Sequence, residues 1–442
     1  MAGRPGSFEE LEKLFASLAS PGIRPGLDRI SRLLGLVGNP QNDFPAIHIV
    51  GTNGKGSTAA FSESILRESG YRTALYTSPH LESPQERLTF CGKPVSLGKW
   101  EEAAETIRYA MNTDSVLRND PPTFFELVTA AAFLLCSGNG TEIAVVEAGL
   151  GGRLDATNLL GRVILTLAAS ISMDHMDFLG DTLEKIALEK FAVARKNVPF
   201  IFSGNPPSLS GLFTQTASDA GSLPQIVSEK ILLSDINVTA EGTGFTFSSP
   251  GKRLSVHSSL HGLYQVDNCA LALSGILAIS GLFPRITDES IRRGIAGTAW
   301  PGRFEILRPD PPLVLDGGHN PDGIRRLVES LTAIYGEKPV TIVYACMKDK
   351  DYPECISLLR KAGARLVCTT VPDSERAAAP ETLAETAVAK GWPPSSVKVA
   401  SDPLEGVRFS ENLTEGTVCC GSLYFIGYLR KVLMDKRKEF SF

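Results

Sequence analysis

The stretch Ile47-His48-Ile49-Val50-Gly51-Thr52-Asn53-Gly54-Lys55-Gly56-Ser57-Thr58 joins an apolar, β-type run to a segment of helical periodicity that continues to Ser69. Its glycines let the backbone turn tightly, and the N–H groups of such a turn, with the N-terminus of the helix behind it, attract phosphate oxygens. Lys55 is spaced to reach β- and γ-phosphates, and Ser57 or Thr58 to touch Mg²⁺. The strict Gly-x-x-x-x-Gly-Lys-Ser/Thr spacing fails, because Ile49 stands where its first Gly belongs and Gly56 separates Lys55 from the hydroxyl residue. A Gly-rich turn with no ligand would account for the glycines but not for a lysine inside them.

Outward from this turn the same alternation repeats. Ile143–Val146 and Val163–Leu167 read as buried strands, and Thr123–Cys136, Leu183–Ala194 and Tyr264–Ile279 as helices, which predicts an α/β protein with a parallel sheet wrapped by helices. Between Ser203 and Ser259 the chain is rich in Ser, Gly and Pro, with short Thr/Val/Phe runs that suggest a small β excursion. After the turn Gly297-Thr298-Ala299-Trp300-Pro301-Gly302 a second strand–helix series begins, with strands expected at Pro312–Leu315, Val340–Tyr344, Leu366–Thr369, Val397–Ala400 and Thr417–Gly421. Two domains, 1–297 and 298–442, are therefore expected from the 442 residues.

Composition narrows the function classes. Lys+Arg 44 against Asp+Glu 49 gives a formal charge of -5, so a nucleic-acid backbone is not an expected partner. The eight cysteines lack zinc spacing and read as reduced, mostly buried thiols. The longest apolar run, Leu127–Cys136, is half the ~20 residues that cross a bilayer, and Glu9, Glu10 and Glu12 stand where a signal peptide is basic and then apolar. A cytoplasmic monomer acting on small molecules, with no membrane partner, is the expectation.

Three further stretches carry chemistry. Glu147 ends an apolar strand and is followed by Ala148-Gly149-Leu150-Gly151-Gly152-Arg153-Leu154-Asp155-Ala156-Thr157-Asn158; a carboxylate at a strand's carboxyl edge is where nucleotide-binding sheets hold magnesium. Asp174-His175 follows another strand, and His175 is a second candidate metal ligand, with Lys190 as a cation or, carbamylated by CO₂, an anionic oxygen ligand. Pro301-Gly302-Arg303 and Asp316-Gly317-Gly318-His319-Asn320-Pro321 offer an Arg for a γ-phosphate and an Asp for a ribose hydroxyl. An interdomain salt bridge or a loop cap is the competing reading of that pair.

Together these residues resemble the folylpolyglutamate synthase and dihydrofolate synthase family of the Mur ligase superfamily. The resemblance runs through Gly26-Leu27-Asp28-Arg29, His48-Ile49-Val50 leading into the phosphate turn with its inserted Gly56, Thr77-Ser78-Pro79-His80-Leu81 with Glu86-Arg87 after it, Thr123-Phe124-Phe125-Glu126 and Glu147–Asn158. It continues through Asp174-His175, Glu189-Lys190, Gln265, Asn268, Pro301-Gly302-Arg303, Asp316–Pro321, Lys348–Asp351 and Gly421-Ser422. It implies an N-terminal P-loop-containing Mur-ligase-type ATPase domain carrying the pterin or folate site, plus a smaller Rossmann-like C-terminal domain. The implied activity is ATP-dependent addition of L-glutamate to dihydropteroate, folylpolyglutamates or both through an acyl phosphate.

Carried over by position, the resemblance implies that Thr52, Asn53, Gly54, Lys55, Gly56 and Ser57 hold the ATP phosphates, with Asn268, Arg303 and Asp316 as further nucleotide contacts. Ser57, Ser78, Glu147 and His175 would serve two Mg²⁺ ions. Lys55, His175, Lys190 and Arg303 would be catalytic, Lys190 as its carbamate. Arg24, Pro25, Thr123, Leu154, Asp155 and Ala156 would wall the pterin-bearing acid. His319 lies in the signature without an assigned role. Two positions depart from the family pattern: Gly318 replaces Ala, and Phe191-Ala192-Val193 replaces Ala-Gly-Ile after Lys190, which puts a large ring beside that amine. A monofunctional folylpolyglutamate synthase, or another Mur-type amino-acid ligase, is the alternative. A regulatory P-loop switch would carry an Asn-Lys-x-Asp guanine-reading motif, which a scan of the chain does not find. A catalytically dead scaffold is disfavoured by the presence of Lys55, Glu147, His175 and Lys190 together.

Overall fold

Ala46–Val50 forms β1, and every one of its residues is buried, His48 included, as a near-continuous apolar run demands of a strand covered on both faces. In the computed structural model, which describes residues 6–413 and 416–440, β1 lies inside an eight-stranded sheet. The others are β2 (Thr73–Tyr76), β3 (Leu88–Phe90), β4 (Lys93–Pro94), β5 (Ile143–Glu147), β6 (Val163–Ala168), β7 (Pro199–Phe202) and β8 (Leu223–Ile226). Their order is β4-β3-β2-β5-β1-β6-β7-β8, parallel from β2 to β8, with β3 and β4 an antiparallel edge. After β1 the chain winds to one side for β2 and β5 and to the other for β6 to β8. The carboxyl end of β1 is therefore the switch point where open α/β sheets bind ligands.

The helices that cover this sheet follow from their sequences. Phe124–Gly138 is capped by Thr123 in a reciprocal box with Glu126 and buries Leu127 through Phe133 without a break. Lys55–Glu68 packs so closely on Asp288–Ala296 that a Cβ on Gly294 would lie 2.7 Å from the Ile65 nitrogen.

Two units divide the chain: one of Met1–Leu232, Ser248–Lys252 and Asn268–Gly297, the other of Leu233–Phe247, Arg253–Asp267 and Thr298–Phe442. The second unit thus takes in most of a three-stranded sheet, in the order β11-β10-β9, made by β9 (Leu232–Thr239), β10 (Gly242–Ser249) and β11 (Lys252–Ser258). This is the β excursion expected after Ser203. The unit's main sheet is six-stranded, β12-β13-β17-β14-β15-β16. It comprises β12 (Glu305–Pro309), β13 (Pro312–Asp316), β14 (Val340–Tyr344), β15 (Gly363–Cys368), β16 (Val397–Val399) and β17 (Gly416–Cys420). All pairings in it are parallel except the β12 edge. The α/β class and both strand–helix series stand as the sequence implied. Cysteines among the described residues are free thiols, buried except for Cys91, and no described helix is long and apolar enough to cross a membrane.

Candidate active site

The turn after β1 is shaped by two glycines in conformations that side chains rarely adopt, Gly51 at φ 146° and Gly54 at φ 87°. A Cβ on Gly51 would come within 2.8 Å of the Ala169 Cβ, and one on Gly54 would overlap the side-chain oxygen of Asn268. The loop is held from below by the strand end after β6. Thr52 and Asn53 donate their N–H groups to the Ser170 carbonyl at 2.7 and 3.3 Å, and Thr52 Oγ1 donates to the Ser172 carbonyl and accepts from its N–H at 3.1 Å each. Gly54 is the residue before the helix Lys55–Glu68, so the first free N–H groups of that helix open onto the turn.

Lys55 folds back over the loop, donating to the Thr52 carbonyl at 3.2 Å, and its Nζ lies 3.9 Å from the Glu147 carboxylate. Glu147 arrives there because β5 neighbours β1 with Ile49 opposite Glu147. Its other oxygen accepts the Ser78 N–H at 3.3 Å. Lys55, Glu147 and Ser78 are thus brought together. Ser57 is buried in the first turn of the helix, and His175 is exposed in a left-handed conformation at the head of the short helix Met176–Leu179.

Lys190 is buried on the helix Leu183–Phe191 and donates to the Gly51 carbonyl at 2.9 Å. Burial, with the Lys55 charge nearby, pulls its pKa down to about 7. The expected crowding by Phe191 is not found. Successive helical residues point about 100° apart, and the Phe191 ring turns into the core, edge-on to Phe200, Phe202 and Phe213 at centroid distances of 6.2, 5.4 and 5.1 Å.

Of the residues assigned to the acceptor, Thr123 and Arg24 are linked by two that the sequence reading left without a role. One Glu126 oxygen accepts the Thr123 N–H at 2.6 Å and Arg29 Nε at 3.2 Å, while Arg29 Nη2 donates to the Arg24 carbonyl at 2.6 Å. Pro25 is exposed in the same loop. Asp155 is 4% exposed and shapes its own loop: Oδ2 accepts the Leu150 N–H at 2.8 Å, and Oδ1 accepts the Thr157 N–H at 2.9 Å and its hydroxyl at 2.5 Å. Leu154 and Ala156 flank it, half-buried and buried. Gly149 is required beside them, since a Cβ there would stand 2.6 Å from the Phe125 ring.

In the second unit Asp316 ends β13, buried, and burial raises its pKa. It accepts from the Tyr264 hydroxyl at 2.7 Å, the Phe304 N–H at 2.8 Å and the Gly318 N–H at 2.7 Å. Arg303 is half-buried beside Gly317, where any side chain would overlap its guanidinium. His319 Nδ1 pairs with the Gly317 carbonyl at 2.9 Å.

This geometry belongs with known proteins. The Mur ligase middle domain matches residues 49–275 and the Mur ligase glutamate ligase domain residues 302–422. A Bacillus subtilis (strain 168) protein named dihydrofolate synthase/folylpolyglutamate synthase is 32% identical over 423 residues, covering 93% of this chain and 96% of its own. The chain belongs to the folylpolyglutamate and dihydrofolate synthase family of Mur ligases. The Mycobacterium tuberculosis folylpolyglutamate synthase complexed with ADP superposes with a TM-score of 0.89 at 28% identity, over 96% of this chain and 98% of that one. The Escherichia coli FolC in complex with DHPP and ADP does so with a TM-score of 0.87 at 26% identity, over 99% and 100%. By family this chain is an ATP-dependent carboxylate–amine ligase.

The family's magnesium chemistry can be tested against the donors present. Glu147, Ser57 and Ser78 offer a carboxylate and hydroxyls, the hard oxygen donors that Mg²⁺ takes. Among the described residues no group of three or more His, Cys, Asp or Glu side chains is gathered to hold a metal. Mg²⁺ is generally bound by one or two carboxylates with water and substrate phosphates. The imidazole of His175 is the softer donor of the set.

Proposed function

We propose that this chain is a bifunctional enzyme that adds L-glutamate to dihydropteroate and to folylpolyglutamates, working in the cytoplasm as a monomer. The observation that carries the reading is Lys55 set over a two-glycine turn and 3.9 Å from Glu147 at the carboxyl edge of the sheet. It is supported by the Bacillus subtilis relative, which bears both synthase names, and by structural relatives that hold ADP or DHPP with ADP.

A carboxylate resists attack by an amine because it is anionic and would expel oxide. Transfer of the γ-phosphoryl group makes an acyl phosphate, whose leaving group is phosphate; the glutamate amine then attacks, and an amide forms. Catalysis is largely the alignment of two anions. The turn Thr52, Asn53, Gly54, Lys55, Gly56 and Ser57 would hold the ATP phosphates, through the Lys55 amine and the N–H groups at the head of the helix Lys55–Glu68, while the Thr52 and Asn53 N–H groups brace the turn on the Ser170 carbonyl. Asn268, Arg303 and Asp316 would contact the rest of the nucleotide. Ser57, Ser78, Glu147 and His175 would hold two Mg²⁺ ions, which supply the charge neutralisation the approach of those anions needs. Arg24, Pro25, Thr123, Leu154, Asp155 and Ala156 would wall the acceptor. With its pKa pulled down to about 7 by burial, the Lys190 amine is available in the neutral form whose lone pair attacks CO₂, forming the C–N bond and releasing a proton, which supports its carbamylation.

The test offers purified protein MgATP and labelled L-glutamate with 7,8-dihydropteroate or tetrahydrofolate separately, and weighs the products by mass spectrometry. Products from both acceptors bear the proposal out, product from the folate alone makes the enzyme monofunctional, and no product from either overturns the folate assignment. Acceptor labelled with oxygen-18 in its carboxylate is expected to pass one label to the released phosphate.

A further inference from the structure

His48 stands in the middle of β1, fully buried, and its Nε2 lies 2.8 Å from Thr157 Oγ1, in the turn Ala156–Leu159. The directions of the bonds around that hydroxyl are forced. Its single proton goes to Asp155 Oδ1, a carboxylate oxygen that can only accept, at 2.5 Å. The hydroxyl oxygen is therefore the acceptor for His48, so the imidazole carries its proton on Nε2 and leaves Nδ1 bare. Nδ1 is buried with no hydrogen-bond partner, as a nitrogen without a proton tolerates better than an N–H would. The positive Arg195, bonded to the Asn158 carbonyl at 2.8 Å, further disfavours a charged ring.

We propose that His48 is a positioning residue for the acceptor: through Thr157 it fixes the Asp155 carboxylate, and with it the backbone of Gly149–Asn158. The inference rests on the reading of Leu154–Ala156 as acceptor wall. Its physical content is that Asp155 already bonds the Leu150 and Thr157 N–H groups, so its service to the acceptor is the shape of the loop. Without the Nε2 donor the Thr157 hydroxyl can turn away, and the loop loses the short bond that closes it. Because β1 runs straight into the phosphate turn, one strand both leads into that turn and, through His48, anchors the Gly149–Asn158 loop.

The experiment uses the full chain and four variants, His48→Leu, His48→Gln, Thr157→Val and Thr157→Ser. His48→Leu and Thr157→Val are expected to raise the KM for the acceptor about tenfold while the KM for ATP stays within about twofold. His48→Gln, whose amide N–H reaches the same place, and Thr157→Ser restore most of it. The double variant His48→Leu/Thr157→Val is expected to be no worse than either single one, because both cut one chain of bonds. Equal losses for ATP and acceptor, or an unchanged acceptor KM, overturn the proposal. Nitrogen-15 NMR of the imidazole gives an arm that needs no turnover: an Nε2–H tautomer that shifts on Thr157→Val supports the chain of bonds, and an Nδ1–H tautomer refutes it. Wild-type protein inactive on both acceptors would instead refute the folate assignment, and the tautomer would still decide the chain of bonds.

Discussion

The amine of Lys190 donates to the carbonyl oxygen of Gly51 at 2.9 Å, so one buried side chain ties the helix Leu183–Phe191 to the first residue of the phosphate turn. Burial is what lowers its pKa, from an ordinary 10.5 to about 7. Between those values the unfolded chain binds a proton that the folded chain has released. Raising the pH through that window therefore stabilises the fold, and below it the burden of burying the charge is complete. Lys190→Met removes the group. In CO₂-free buffer, the stability of wild type minus variant, from urea unfolding, is expected to climb by a few kcal/mol between about pH 7 and pH 10. A difference that stays level would mean the amine is not desolvated.

Gly54 is the residue of the turn with least freedom to change. At φ 87° an alanine is strained, and its Cβ would overlap the Asn268 side-chain oxygen. Gly54→Ala is expected to fold and to bind an ATP analogue about a hundredfold more weakly by calorimetry. Unchanged affinity would show that the left-handed glycine backbone is not needed.

Lys55 is the cation of the turn, and its Nζ lies 3.9 Å from the Glu147 carboxylate. Lys55→Ala is expected to lower glutamate-dependent ADP formation by about a thousandfold or more, the scale of a lost phosphate clamp. Some stability should go with it, about 1–3 kcal/mol, because the pair is largely buried and the substitution leaves the Glu147 carboxylate without its cation. A loss of that size leaves the protein folded and cannot by itself account for the lost turnover. Retained turnover would remove Lys55 from the machinery.

Most of this was legible in the sequence, for identifiable reasons. β1, β5 and β6 are near-continuous apolar runs, broken by His48, Thr166 and the terminal Glu147, and the glycine pattern after β1 has few uses other than a phosphate turn. The second unit's strands, such as Pro312–Asp316 and Val340–Tyr344, announce themselves in the same way. Thr73–Tyr76 did not: four residues with a threonine and a tyrosine carry too short a pattern to separate a strand from a loop. The excursion strands β9 to β11 fall with the second unit although they precede Thr298, because affiliation is a matter of tertiary packing that no linear cut expresses. Arg29, Glu126, Tyr264 and His48 were missed as working parts because each acts on another residue rather than on a ligand. The crowding expected from Phe191 failed because neighbouring residues on a helix point in different directions. A capping signature, Thr123 with Glu126 three residues on, was visible and could have singled out the Glu126 carboxylate.

Arg29 is the cation that makes that carboxylate useful beyond its helix cap. It joins the Arg24 carbonyl to the acid that holds the Thr123 N–H, so the loop before Gly26 and the head of the helix Phe124–Gly138 share one anchor. Arg29→Ala leaves a nearly buried carboxylate without its charge partner and frees the loop. An acceptor KM raised about tenfold with kcat and the KM for ATP little changed is expected, together with a stability loss of about 1–3 kcal/mol. Arg29→Lys keeps the charge but cannot reach both partners, so it should recover stability more than affinity.

Asp316 meets three donors in a buried site, and Asn cannot. Gly318 N–H bonds one carboxylate oxygen, and Phe304 N–H and the Tyr264 hydroxyl bond the other. An asparagine presents one acceptor and one donor end. Whichever way it is turned, its NH₂ faces a backbone N–H, either that of Gly318 or that of Phe304, and neither peptide can rotate away. The hydroxyl of Tyr264 can reverse its bond and is the lesser cost. Asp316→Asn is therefore expected to destabilise by about 2–3 kcal/mol, and Tyr264→Phe by about 1 kcal/mol. In the double variant the two losses should not add, because once the carboxylate is gone the tyrosine has already lost its charged acceptor. Urea unfolding of the four proteins gives the coupling directly; additive losses would show that Asp316 and Tyr264 stabilise the turn independently, against the single hub drawn from these distances.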